Sequence, residues 1–166
     1  MKRLNFSTEN ERMEYFMYIA LKEAGKSLKY EDVPVGAIIV KNNEVIAKAH
    51  NQVEEKGNSI HHAEMIAINK AVRKLGYKHL LDCELFVTLE PCPMCAGAVV
   101  LSRIPKLYIG TNDPKAGACG SVLNITENNL LNHKCLVNRD ILQDKCSGII
   151  KDFFKKIREN KRIAKK

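Results

Sequence analysis

The chain has 166 residues, 45% of them hydrophobic and 28% charged, with a formal net charge of +8. That length fits one domain with a core of its own, and that composition excludes wholesale disorder. No run of about 18 apolar residues is present to span a membrane, and the start Met1–Phe6 turns polar at Ser7 without the apolar centre of a secretory signal, so a cytoplasmic location is expected.

Thr8 and Glu11 form a capping box that opens a first helix. Met13, Phe16, Met17, Ala20, Leu21 and Ala24 follow as a helical stripe, and Gly25 can end it. Val35–Val40, a short turn at residues 41–44 and Val45–Ala49 read as a β-hairpin. A polar loop at residues 54–59 leads to a helix that starts near His61 or His62 and runs to Leu75, with Gly76 just past its end. Leu85–Leu89 is a strand. Pro91 suits the first turn of a third helix, which must stop before Pro105. Leu107–Ile109 and Leu136–Val137 are further strands. A last helix carries Leu142, Cys146, Ile149, Ile150, Phe153 and Ile157 on one face. Strands separated by helices argue a single layered α/β domain.

The charge is unevenly placed. Residues 151–166 hold eight of the 27 basic residues and two of the 19 acidic ones, so that segment carries +6 of the net +8. A polyanion partner accounts for this as well as a solvated helix end does. The six cysteines lack the context of a disulfide framework and read as metal ligands, catalytic thiols or small buried residues.

Two motifs carry chemistry: His62-Ala63-Glu64 and Pro91-Cys92-Pro93-Met94-Cys95. Alone, the first fits a polar helix start, and the second fits a redox pair or half of a structural zinc site. Together they describe a catalytic zinc site. Cys92 and Cys95, three apart, share one helix face, and the helix N-terminus favours their thiolates. His62 adds a neutral imidazole and the fourth position stays open. Glu64, two residues from His62, is placed to act as general base on a water held there.

The order and spacing of these motifs resemble the bacterial tRNA-specific adenosine deaminases of the cytidine-deaminase-like superfamily, whose signature is His-x-Glu followed by Pro-Cys-x-x-Cys. The resemblance also rests on Val33–Val40 (VPVGAIIV), Asn51, Thr88–Ala98 (TLEPCPMCAGA), Ser102–Ile104, Gly110–Ser121 (GTNDPKAGACGS), Asn132-His133 and Phe153-Phe154. It implies a three-layer α/β/α fold around a mixed five-stranded sheet, with a zinc deaminase domain over residues 1–158; the charge distribution adds a basic C-terminal tail over 159–166. The resemblance further implies one zinc per chain on His62, Cys92 and Cys95, and Glu64 as the catalytic acid–base. The activity implied is hydrolytic deamination of the wobble adenosine of a tRNA anticodon to inosine, by a homodimer whose RNA sites are completed near the partner chain.

For substrate contacts the resemblance implies that the Asn51 amide reads the base edge. Asp113 then meets a nucleotide beside the target, Lys115 a nearby phosphate, and Phe154 the RNA. Read from the residues alone, Asn51 is a turn or cap residue, Asp113 an Asx turn before Pro114, and the phenylalanines core. The sequence departs from the family in the stretch Asn58-Ser59-Ile60-His61-His62, where a small residue and a proline are usual. Only His62 keeps the two-residue step to Glu64, which leaves His61 outside the ligand set. Cys83, Cys119, Cys135 and Cys146 read as small packed residues. Two other functions compete: a free-base deaminase for guanine or cytosine on the same fold, and a non-enzymatic zinc module closed by Cys119, His133 or Cys135.

Overall fold

In the computed structural model, which describes residues 5–164, α1 (Glu9–Ser27) begins at the expected cap. The Thr8 hydroxyl accepts the Glu11 amide at 3.1 Å, and the Glu11 carboxylate reaches back to the Ser7 amide at 2.8 Å. Gly25 does not end the helix. The helix continues to Ser27, and a 3-10 turn over Leu28–Tyr30 releases the chain with Glu31 in the left-handed region.

The hairpin is β1 (Gly36–Lys41) and β2 (Glu44–His50), joined by Asn42-Asn43 with φ of 51° and 60°. Two consecutive left-handed residues match the twist of a two-residue hairpin, and asparagine tolerates them. A short helix, α2 (Val53–Lys56), occupies part of the polar loop. α3 (Ala63–Leu75) follows and stops at Gly76, whose φ is 78°. Then come β3 (Glu84–Leu89), α4 (Pro93–Leu101), β4 (Lys106–Thr111), β5 (Leu136–Asn138) and α5 (Gln143–Ile163). Pro93, not Pro91, takes the first helical position of α4, and Cys92 is its cap. α5 runs unbroken past residue 158 as far as Ile163, while Lys165 and Lys166 lie outside the described residues.

The strands form one mixed sheet in the order β2-β1-β3-β4-β5. β1 is antiparallel to β2 and β3, whereas β3, β4 and β5 are parallel. Strand alternation sorts the core into two layers. Ile38, Val40, Phe86 and Tyr108 face Phe16, Met17 and Ala20 of α1 and Cys146 of α5. Ala37, Ile39, Leu85, Val87, Leu107 and Ile109 face Ala63, Ala67 and Ala71 of α3 and Ala96 and Val99 of α4. Phe86 and Tyr108 stack at 4.2 Å, and Phe16 leans on Phe86 at 5.4 Å. Truncating a fully buried ring such as Phe16 to alanine costs about 3–5 kcal/mol.

The helices approach the sheet closely. A Cβ on Gly36 would overlap the Ala20 carbonyl and stand 2.5 Å from the Ala24 nitrogen; one on Gly110 would meet Cys146 of α5. Because β1 is antiparallel to both neighbours, its N-terminal end lies beside the C-terminal ends of β2 and β3, with Gly36 opposite His50 and its amide on the Thr88 hydroxyl at 3.0 Å. That end of the sheet receives the N-termini of α3 and α4.

Candidate metal centre and active site

His62 caps α3 and Cys92 caps α4, both with extended backbone. Cys95 is one turn into α4 and fully buried. The His62 Nδ1 lies 3.7 Å from the Cys92 Sγ and 3.6 Å from the Cys95 Sγ, and all three atoms fall within 4.8 Å of one another. Zinc at about 2.3 Å from sulfur and about 2.0–2.1 Å from nitrogen, with a tetrahedral angle, puts nitrogen and sulfur about 3.6 Å apart. The donor set and its spacing therefore fit zinc. The Cys95 hydrogen bond, with His62, draws the Cys92 thiol down to about 4, while the same bond and burial push the Cys95 thiol up.

No other histidine or cysteine joins this group among the described residues. His61 is half-buried; its backbone closes the loop by accepting the Gln52 amide at 3.0 Å and donating to Asn58 at 3.1 Å. His133 sits instead on the Ile104 carbonyl at 2.8 Å. Cys83, Cys119, Cys135 and Cys146 are buried, and burial raises their thiols to about 12. They are neutral packing residues, and the closed zinc module has no fourth ligand in Cys119, His133 or Cys135.

Glu64 is buried beside this group, and its Oε2 has no hydrogen-bond partner among the described residues. Burial raises its carboxyl above the usual carboxylate range. An orphaned buried carboxylate oxygen next to a metal ligand set is costly unless a ligand or substrate completes it. Glu64 lines a cavity of about 280 Å³ whose wall also includes Asn51, His62, Cys92 and Asp113.

Asn51 combines its two sequence readings. Its Oδ1 accepts the Ala63 amide at 3.0 Å, capping α3, and that donor fixes which way the amide is turned. The Nδ2 has no protein acceptor among the described residues. Asp113 makes the Asx turn: its Oδ1 accepts the amides of Lys115 at 2.9 Å and Ala116 at 3.2 Å. The Oδ2 takes no part in that turn. Lys115 is exposed on the same loop and does not line the cavity. On α5, Phe153 is buried, whereas Phe154 is 43% exposed and packs edge-on against it at 5.2 Å, outside the cavity wall.

Sequence reasoning gave Glu90 and Asp32 no role. Glu90 is 3% exposed, and its carboxylate accepts the amides of Asp113 at 3.0 Å, Cys119 at 2.9 Å and Ser121 at 3.0 Å, together with the Ser121 hydroxyl. Burial pushes its carboxyl up, but these donors outweigh that and hold it below the usual range. Asp32, equally buried, accepts the amides of Val33 at 2.8 Å and Glu54 at 3.0 Å and so ties the entry of β1 to α2. The only signal for either was an acidic residue next to a buried apolar segment.

Residues 10–111 match the family model of the cytidine and deoxycytidylate deaminase zinc-binding region. The tRNA-specific adenosine deaminase of Bacillus subtilis is 45% identical over 153 residues, spanning 92% of this chain and 95% of that protein. A solved structure from studies of A-to-I editing by tRNA:A34 deaminases at the wobble position of transfer RNA superposes with a TM-score of 0.78 at 36% identity, covering 81% of this chain and 98% of that one. The guanine deaminase of Bacillus subtilis is 37% identical with a TM-score of 0.56, over 60% of this chain and 64% of that one. On the ligand geometry and these likenesses together, the chain belongs to the tRNA-specific adenosine deaminase family of the cytidine-deaminase-like zinc enzymes.

Proposed function

We propose that the chain hydrolyses the wobble adenosine of a tRNA anticodon to inosine, releasing ammonia, with His62, Cys92 and Cys95 holding one zinc and Glu64 as the catalytic acid–base. The observation that carries this is the unpartnered Glu64 Oε2, buried beside a zinc-competent ligand set on a residue that lines a cavity large enough for a base. Zinc bound there supplies Lewis acidity, which lowers the pKa of water to about 7.

The chain's own residues do the rest. Glu64 takes one proton from the attacking water to the ring nitrogen and then carries the second, from the hydroxyl now on the carbon, to the departing amino group, so that one water and one adenosine give one inosine and one ammonia. Burial raises this carboxyl above the usual carboxylate range, which suits a group that must hold and return a proton. The free Asn51 Nδ2 donates to an acceptor on the edge of the base. Asp113, through Oδ2, faces the neighbouring ribose, and exposed Phe154 offers a stacking surface with the basic face of α5 beside it. Lys115 contacts a phosphate.

The likeness to the adenosine deaminase spans nearly the whole of both chains, whereas that to the guanine deaminase structure covers under two thirds of each. This favours the RNA substrate over a free base. A cytoplasmic homodimer belongs to the same reading, and sedimentation equilibrium measures its stoichiometry. The deciding experiment incubates the protein with an anticodon stem-loop, free adenine, guanine and cytosine, and measures ammonia. Release from the stem-loop alone supports the proposal; release from guanine or cytosine alone overturns it.

A further inference from the structure

Glu90 lies two residues before Cys92 but is not part of the ligand group. Its carboxylate stands at the centre of the loop that follows β4. Oε2 accepts the Asp113 amide and the Ser121 hydroxyl, and Oε1 accepts the Cys119 and Ser121 amides. The chain on either side of Glu90 binds the same loop: its own amide donates to the Thr111 carbonyl at 2.8 Å, and the Pro91 carbonyl accepts the Ala118 amide at 2.8 Å. The loop is shaped around this anion. A Cβ on Gly117 would overlap the Glu90 carboxylate and stand 2.6 Å from the Asp113 carbonyl, so the loop can close here only on glycine.

Asp113 is therefore held twice. Its amide is fixed by Glu90 and its Oδ1 by the Lys115 and Ala116 amides, while the residue lines the cavity. We propose that Glu90 is a positioning residue for substrate: it clamps the loop over residues 113–121 so that Asp113 forms a fixed wall of the cavity beside the bound nucleotide. The proposal rests on the deaminase reading above for the identity of that nucleotide, and on the hydrogen bonds alone for the clamp.

The chemistry suggests a selective lesion. In Glu90→Gln the side-chain oxygen keeps the Cys119 and Ser121 amides, but the new NH2 faces the Asp113 amide, donor against donor. The arm holding Asp113 is released while the other stays. The Ser121→Ala variant removes only the hydroxyl. The test measures kcat and KM on an anticodon stem-loop, zinc per chain, and amide hydrogen exchange of the loop, for wild type and both variants.

Glu90→Gln is expected to raise KM about tenfold or more, the scale of a lost hydrogen bond to a charged group, with kcat within about threefold. It is expected to keep one zinc per chain and to speed exchange at the Asp113 amide. KM within about twofold of wild type overturns the proposal, because a released amide in the binding wall must weaken binding. Loss of zinc, or a fall in kcat at steady KM, overturns it by assigning Glu90 to the metal helix. Should Glu90→Gln not accumulate as folded protein, Ser121→Ala carries the test: KM raised about threefold supports the clamp, and an unchanged KM overturns it. If wild type releases no ammonia from the stem-loop, the deaminase reading falls. Exchange then judges the clamp by itself: protection of the Asp113, Cys119 and Ser121 amides that Ser121→Ala or Glu90→Gln loosens supports it, and unaltered exchange overturns it.

Discussion

The side-chain oxygen of Asn51 accepts the amide of Ala63 at 3.0 Å, between His62 and Glu64, the proposed ligand and the proposed acid–base. One carboxamide thus anchors the start of α3 and keeps its nitrogen as a free donor at the cavity. Asn51→Asp retains the acceptor and removes the donor, and is expected to preserve fold and melting temperature while kcat/KM on the stem-loop falls about 10- to 100-fold. Asn51→Ala loses the cap as well, at a further cost of about 1 kcal/mol in stability. Equal activity of Asn51→Asp and wild type removes the side chain from base recognition.

The proposed ligands and Glu64 separate by what they lose. His62→Ala, Cys92→Ala and Cys95→Ala are each expected to abolish the single zinc, measured by elemental analysis. Glu64→Gln is expected to keep zinc and fold while turnover falls at least 10²–10⁴-fold, the usual order for general acid–base groups. Full zinc in Cys92→Ala, or near-normal turnover in Glu64→Gln, contradicts the assignment.

Asp113→Asn isolates charge from shape. An asparagine Oδ1 can still accept the Lys115 and Ala116 amides, so the turn survives. On the proposed contact, the carboxylate bond to a ribose 2′-hydroxyl, about 1.5–3 kcal/mol, would be weakened, and so would the repulsion of a DNA backbone. The RNA rate is expected to fall modestly and the single-stranded DNA rate to rise. Matched RNA and DNA hairpins measure the ratio; an unchanged ratio leaves Asp113 as a turn residue only.

Deleting residues 159–166 removes four basic residues and one acid, and no buried side chain among those described. RNA affinity is expected to fall, and the log–log salt slope to flatten by about 0.7 for each phosphate that the tail no longer neutralises. Zinc content is expected to stay at one per chain. An unchanged slope returns the tail to solvent.

The helix and strand order was legible because the signals were local: a capping box at Thr8, alternation in β1, Gly76 after α3. Where two residues competed, tertiary structure chose. Gly25 could stop α1, but Ala24 and Ser27 are buried, and burial carries the helix past the glycine. Pro91 and Pro93 both suit a first helical turn, and only Pro93 leaves Cys92 as the cap. The grouping of His62, Cys92 and Cys95 was legible because its spacing is the chemistry. Glu90 was not, because its partners lie 23 to 31 residues away and are backbone amides, which no side-chain pattern announces.

The close seating of α1 and α5 on the sheet divides the glycines into two kinds for anyone wishing to make the protein hardier. Gly36 and Gly110 are touching points that admit no methyl group, and alanine at either would lift a helix from the layer beneath it. Gly25 and Gly148 lie within α1 and α5 with open space where a Cβ would go. Each is a standing entropic cost of about 0.5–1 kcal/mol that alanine removes. Tolerance of heat is thus improvable from the helix backs, without touching the end of the sheet where His62, Cys92 and Cys95 meet.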